Sequence, residues 1–191
     1  MNRVICPNCG QRGATEKRVL EYAYKECGLP GVRLFGGVTE TSCPQCGESS
    51  VRIPKEGQLL QVIALMLLTT PRTLSGPEMK FLRKSCQLSQ AALAGQLRKR
   101  RETVAEREAK KDPRLSEAEE AWFRLIILHD FNELLERRDW NHLSPTHMEL
   151  LSTFTREFSQ KAVELGEREL QRTTLRLQQS GDDWQAMDNA A

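Results

Sequence analysis

The stretch "FLRKSCQLSQAALAGQLRKRRETVAERE", residues 81–108, decides how the middle of this chain folds. Phe81, Leu82 and Leu88 anchor its entry, and Leu93, Ala94 and Leu97 repeat at helical spacing. A helix is predicted to begin near Ser89, and another near Arg100. Val104 is then the inward residue of that second helix, with Arg101, Glu102, Ala105 and Glu106 facing out. Two short helices with a tight connection and a polar leading edge make a helix-turn-helix, whose second helix enters the DNA major groove.

The flanks extend the helical reading. Ser75 or Gly76 caps a preceding helix with Pro77 in its first turn. "DPRLSEAEE" breaks the chain, and Ser116 with Glu119 forms a capping box for a helix over about 117–138. Its apolar positions are read as Ala118, Ala121, Trp122, Leu125, Ile126 and Leu128. Beyond "LSPTHMELL", where Ser144 caps and Pro145 takes the first helical position, Leu151, Phe154, Phe158, Ala162 and Leu165 form one stripe on a long helix. That stripe either folds back on the 117–138 helix or dimerises the chain. "SGDDWQAMDNAA" reads as a frayed end.

Charge is unevenly spread. The 191 residues sum to +2, but residues 72–114 hold twelve Lys or Arg against five Asp or Glu, and residues 115–191 hold eight against fifteen. A basic middle beside an acidic tail points to a polyanionic partner for the middle. Arg98, Lys99, Arg100 and Arg101, with Lys84, can meet phosphates; a solvated surface run is the alternative. The apolar run at Leu59–Leu68 is too short to span a bilayer, and "MNRVICPNCG" lacks a signal-peptide core. The reading is a cytoplasmic protein with no membrane partner.

Six cysteines include two near-duplicate pairs, "CPNCG" and "CPQCG". Cys6, Cys9, Cys43 and Cys46 at that spacing suit one tetrahedral Zn²⁺. The glycine after each pair permits a turn with positive φ. Four thiolates leave no open position for water, so the expected role is structural. Cys27 and Cys86 read as spare or buried thiols, and His129, His142 and His147 lack ligand spacing. In "RVLEYAYK", Leu20, Tyr22 and Tyr24 fall on one face of a strand, and a second strand is read through Val32–Phe35.

"LSGPEMKFLRKSCQLSQAALAGQL…ETVAERE" resembles the Cro-like, Xre-type helix-turn-helix family at Leu82-Arg83, Leu88-Ser89-Gln90, Leu93-Ala94, Leu97, Thr103-Val104 and Glu108. An N-terminal cysteine pair, a second pair, a connector and this motif resemble, in order, the MqsA (YgiT)-type antitoxins. The resemblance covers about 1–135. It departs where Arg98-Lys99-Arg100 replaces the family's Gly-Val-Ser turn, where Arg107 replaces an aromatic, and where Glu102 and Glu106 occupy DNA-facing positions. A glutamate there accepts from a cytosine amine or bridges to a neighbouring arginine.

The expectation is a mainly α protein: a small zinc-bound, β-containing domain over 1–55, a linker helix over 56–71, a helix-turn-helix domain over 72–140 and an acidic helical extension over 141–191. The resemblance implies a homodimeric autorepressor that binds double-stranded operator DNA of its own operon and a cognate toxin protein. DNA contacts are assigned to Lys84, Ser89, Gln90, Arg98, Lys99, Arg100, Arg101, Glu102, Thr103 and Glu106. Trp122, Leu125 and Ile126 are assigned to a dimer interface, with monomer core as the alternative for Trp122. A protein-interaction adaptor with a structural, non-reading helix-turn-helix is the competing function. No catalytic constellation is found.

Overall fold

The computed structural model describes residues 2–70, 72–137, 175–181 and 183–187. It contains strands β1 (Asn2–Ile5), β2 (Arg12–Ala23), β3 (Val32–Ser42) and β4 (Ser49–Arg52). Helices α1 (Glu56–Thr69), α2 (Gly76–Ser85), α3 (Gln90–Gln96), α4 (Arg101–Ala109) and α5 (Glu117–Arg137) follow, then strands β5 (Leu175–Ser180) and β6 (Asp183–Ala186). Two compact units result: one joins Met1–Lys25, Pro30–Leu59 and Thr174–Ala191, the other Glu26–Leu29 and Leu60–Thr173.

The first unit corrects the expectation of a mainly α protein. It is a six-stranded mixed sheet in the order β1-β2-β3-β5-β6, with β4 also paired to β3. The far edge of β3 is divided. Thr39–Ser42 pair antiparallel with β4, while Val32–Phe35 pair parallel with Leu175–Gln178 of β5. Gly36 and Gly37, both at φ +70, separate the two halves. A side chain at Gly37 would be strained by its φ of +70 and would have to displace the Gln179 side chain, whose Oε1 lies 2.2 Å from a Cβ built there.

The predicted frayed end is therefore a hairpin. Leu175 and Leu177 alternate inward, Gly181 turns the chain at φ +60, and Trp184 is buried. The Trp184 indole donates to the Pro54 carbonyl at 2.8 Å, and Gln58 donates to Asp183 at 3.0 Å. A buried Trp with its N–H satisfied is a strong anchor for so short a hairpin. The expected helical extension is replaced by strands over 175–186. The stripe from Leu151 to Leu165 and the histidines His142 and His147 lie outside the described residues.

A bulge between Val19 and Glu21 shifts β2 by one residue against the glycine pair of β3. The extra residue lies on β3, where Gly36 and Gly37 stand opposite Leu20 alone, so the alternation of β2 is kept. Tyr24 is buried at 2% exposure, whereas Leu20 stands 86% exposed. A bulge leaves two residues of one strand opposite one of its partner.

The helical unit packs Val62, Ile63, Leu65, Leu67 and Leu68 of α1 into a buried set with Leu74, Met79, Leu82, Leu93, Val104, Phe123, Ile127 and Phe131. α1 has no basic residue in its last turn. A buried arginine from α5 serves instead: Arg124 donates to the carbonyls of Leu67 (2.9 Å), Leu68 (2.7 Å) and Arg72 (2.7 Å). Glu120 accepts from the same guanidinium at 2.7 Å. The orphan carbonyls of a helix end are thus met by a cation, which the local dipole also favours.

α2 and α3 end alike. Gln87 (φ 58) and Arg98 (φ 52) take left-handed conformations. Leu88 N–H reaches back to Arg83 O at 3.1 Å, and Lys99 N–H to Ala94 O at 2.9 Å. This is the Schellman closure usually made with glycine.

Candidate metal centre and nucleic-acid interface

In the sheet unit, each cysteine pair forms the loop of a hairpin, Cys6–Cys9 between β1 and β2 and Cys43–Cys46 between β3 and β4. The two loops are built identically. Cys6 N–H donates to Gln11 O (2.9 Å) and Gly10 N–H to Cys6 O (3.0 Å); Cys43 N–H donates to Glu48 O (2.9 Å) and Gly47 N–H to Cys43 O (2.9 Å). Gly10 at φ +71 and Gly47 at φ +70 close the turns, as their place after each pair predicts. Pairing of Thr15 with Ser42 sets the loops side by side.

The four sulfurs lie within 4.8 Å of one another. Cys6 and Cys46 approach to 3.7 Å, as do Cys9 and Cys43. Ligands about 2.3 Å from a tetrahedral centre sit about 3.8 Å apart, so the set can hold a metal ion. Cys6 and Cys43 are buried against Ala14, with Val4 beside them. The Cys46 backbone N–H, foremost, draws the Cys43 thiol down to about 7. Gln11 N–H would lower Cys9, but desolvation and hydrogen bonds among the neighbouring thiols outweigh it and hold Cys9 at about 12. Asn8 Nδ2 adds a long contact to Cys46 Sγ at 3.9 Å. Cys86 is remote in kind: burial raises its thiol to about 12, and it donates to Ile127 O at 3.4 Å.

In the helical unit, α3 and α4 flank the turn at residues 97–100. Ser89 caps α3, its Oγ accepting from Ala92 N–H at 3.0 Å. Arg100 is the N-cap of α4, with φ −81 and ψ 149. Beneath them lies a buried ion pair between Arg83 of α2 and Glu108 of α4, with Nη2 to Oε2 at 3.0 Å. Arg83 also donates to Leu88 O at 2.6 Å, and Gln90 Nε2 to Glu108 Oε2 at 2.9 Å. These bonds fix the angle between helices that apolar anchors alone leave loose.

The residues assigned to DNA divide into groups. Lys84, Arg98, Arg100 and Arg101 are exposed, and among the described residues no carboxylate lies within ion-pair distance of them. Glu102 and Glu106 are likewise exposed, with no ion pair to a neighbouring arginine among the described residues. Thr103 is half-buried. Gln90 gives its amide N–H to the interior, and the Ser89 oxygen is occupied as a cap. Lys99 Nζ lies 2.8 Å from Glu119 at the start of α5.

Sequence reading missed three features: the Arg83–Glu108 pair, the ion pairs of Glu119 with Lys99 and Arg107, and the Arg124 cap. Arg83 and Glu108 were in view as motif positions; two charges on otherwise inward faces were the available signal. Of the residues assigned to a dimer interface, Trp122 (53% exposed) and Leu125 (41%) face outward, while Ile126 (9%) belongs to the monomer core. The inward stripe of α5 is Phe123, Ile126, Ile127 and Phe131, not the stripe through Ala118, Ala121 and Trp122. No described helix is long and apolar enough to cross a membrane.

The class defined by these sites is a sheet unit bearing four clustered cysteines joined to a helical unit in which two short helices, α3 and α4, flank the turn at residues 97–100. Comparison with known proteins finds no family model, no curated relative and no solved structure that matches the chain.

Proposed function

We propose that the protein is a zinc-containing, sequence-specific DNA-binding regulator, acting as an autorepressor of the antitoxin kind. The observation that carries the reading is the cluster of Arg98, Arg100 and Arg101. All three are exposed at the leading edge of α4 and free of carboxylate partners among the described residues. Cations held there, beside the positive end of a helix, suit DNA phosphates. Glu102 and Glu106, exposed and without an ion-pair partner among the described residues, are available to accept from cytosine amines in the major groove.

Zinc is the metal that four thiolates at tetrahedral spacing suit best. In so small a sheet unit it supplies folding energy rather than chemistry. Trp122 and Leu125 provide an exposed apolar face for a homodimer, which doubles the DNA site read. A toxin partner, encoded with the regulator, follows from the resemblance to MqsA-type antitoxins. The same apolar face of α5 favours a second reading, a protein-interaction adaptor whose helix-turn-helix is structural.

A gel-shift titration with the gene's own upstream duplex, at two salt concentrations, separates the readings. The regulator binds with a steep salt dependence and loses affinity when Arg98, Arg100 and Arg101 become alanine. The adaptor shows no difference between the triple variant and the wild type.

A further inference from the structure

Of the cations in the α3–α4 turn, Lys99 alone is engaged by a carboxylate among the described residues. Its partner, Glu119, also receives Arg107 Nη2 of α4 at 2.9 Å. Ser116 donates to the same carboxylate through its backbone N–H and its hydroxyl, both at 3.4 Å. One carboxylate thus serves two cations and a helix cap. The site is uneven: the Arg107 side chain is 17% exposed, that of Lys99 41%. An exposed Lys–Glu pair is weak and readily exchanged, and Arg107 stays to hold Glu119 when Lys99 leaves.

We propose that Glu119 withholds Lys99 from DNA, so that backbone phosphates must compete with an internal carboxylate for that ammonium. Glu119 is a positioning residue of the interface; it touches no ligand itself. It stands in for a phosphate in the free protein, and the leading edge of α4 is charged by Arg98, Arg100 and Arg101. Two oxyanions, the Glu119 carboxylate and a backbone phosphate, compete for Lys99, and Glu119 stays paired to Arg107 in either case. Ionic strength therefore weakens the internal pair and the DNA contact together.

This inference rests on the DNA-binding reading, and its test keeps the two separable. The full-length, metal-loaded chain is titrated with a labelled duplex of its own upstream sequence and with a scrambled duplex, over a range of salt. The proteins compared are the wild type, Glu119→Gln, Lys99→Ala and the double variant. In Glu119→Gln the new amide would keep hydrogen bonds to Ser116, since glutamine also serves in a capping box, so the fold is checked by comparing thermal melts.

The expected result is that Glu119→Gln tightens binding to both duplexes by about two- to fivefold and steepens the salt slope by up to about one. In the Lys99→Ala background Glu119→Gln is expected to change neither. Binding that tightens equally without Lys99 overturns the proposal, because Glu119 then acts only by repelling DNA. Binding that weakens overturns it too, because Glu119 then presents Lys99 to phosphate. A wild type that binds neither duplex removes the DNA-binding reading itself.

Discussion

Gly76 and Gly95 lie on neighbouring helices of the same motif, yet replacing each by alanine should act in opposite directions. A Cβ built at Gly76 would lie 2.2 Å from Lys110 O, 2.3 Å from Arg107 O and 2.8 Å from Glu108 O. All three are backbone atoms at the end of α4, so no side chain can swing aside. Relief requires α2 and α4 to part by about 1 Å, and overpacking of that kind costs about 1–3 kcal/mol. The same shift stretches the bond from Gly76 N–H to Lys110 O, now 3.0 Å, adding about 0.5–1.5 kcal/mol. Gly76→Ala should therefore destabilise the helical unit by about 2–4 kcal/mol, a fall in Tm of about 10–25 °C for a unit of this size. Nothing lies within 4 Å of a Cβ at Gly95, inside α3, so Gly95→Ala should gain about 0.5–1 kcal/mol. Thermal melts followed by far-ultraviolet circular dichroism measure both. A Gly76→Ala variant within about 0.5 kcal/mol of wild type would refute the close seating of α2 on the end of α4.

Chelation of the metal, or Cys43→Ser, should unfold the sheet unit and leave the helical unit folded; in a variant whose only Trp is Trp184, emission should shift to the red as that buried ring meets water. Retention of the blue emission by demonstrably metal-free protein would contradict this. Arg98→Gly should raise stability by at most about 1 kcal/mol, since relief of a left-handed φ of 52 is offset by a freer unfolded chain, while the salt slope of DNA binding falls by about one; parallel denaturation and gel-shift titrations would expose a shared direction. Lys99 first, and then Arg107, hold the Glu119 carboxyl near 2, below the usual carboxylate range. The stability difference between wild type and Glu119→Gln, about 1 kcal/mol or less for so exposed a pair, should be full above about pH 5 and shrink as pH falls through 4 towards 2. A difference unchanged at low pH would show that charge is not its source.

Local signals in the sequence located what depends on neighbours along the chain. The two knuckles, the cap at Ser75 or Gly76 (Ser75 in the structure), the helix starts near Ser89 and Arg100 and the Ser116–Glu119 box all fall where spacing placed them. What depends on distant partners was not legible. β5 is a short strand whose alternation of Leu175 and Leu177 acquires meaning only beside Val32–Phe35, which lie more than a hundred residues earlier. The Gly-Asp pair after Ser180, with a Trp two residues beyond it, was a usable hairpin signal, but nothing local gives it a core to close on. Strict alternation groups Leu20 with Tyr22 and Tyr24 but does not say which of them is covered; only the register shows Leu20 opposite Gly36 and Gly37, where it is left exposed. On α5 apolar residues occupy both faces, so periodicity cannot choose between Trp122 and Phe123; packing in the helical unit does.

The basic run shows how much of an interface spacing leaves open. In sequence, Arg98 to Arg101 are four equivalent cations. In the structure Arg98 closes α3 in a left-handed turn, Lys99 is tied to Glu119, Arg100 caps α4 and Arg101 begins it. Gln90, which the motif offers to DNA, is turned inward to Glu108. Three arginines without a carboxylate partner among the described residues imply different thermodynamics from four such cations. If each neutralises one phosphate of B-DNA, three contribute about −2.7 to the salt slope per chain and four about −3.6. Lys84, exposed and unpaired among the described residues, adds to both sums equally and drops out of the comparison. Removal of Lys99 should therefore leave the slope almost unchanged in wild type and reduce it by about one once Glu119 is neutral. Equal losses in both backgrounds would mean that the ammonium reaches phosphate regardless of its internal partner, and that the sequence count, not the ion-pair geometry, describes the interface.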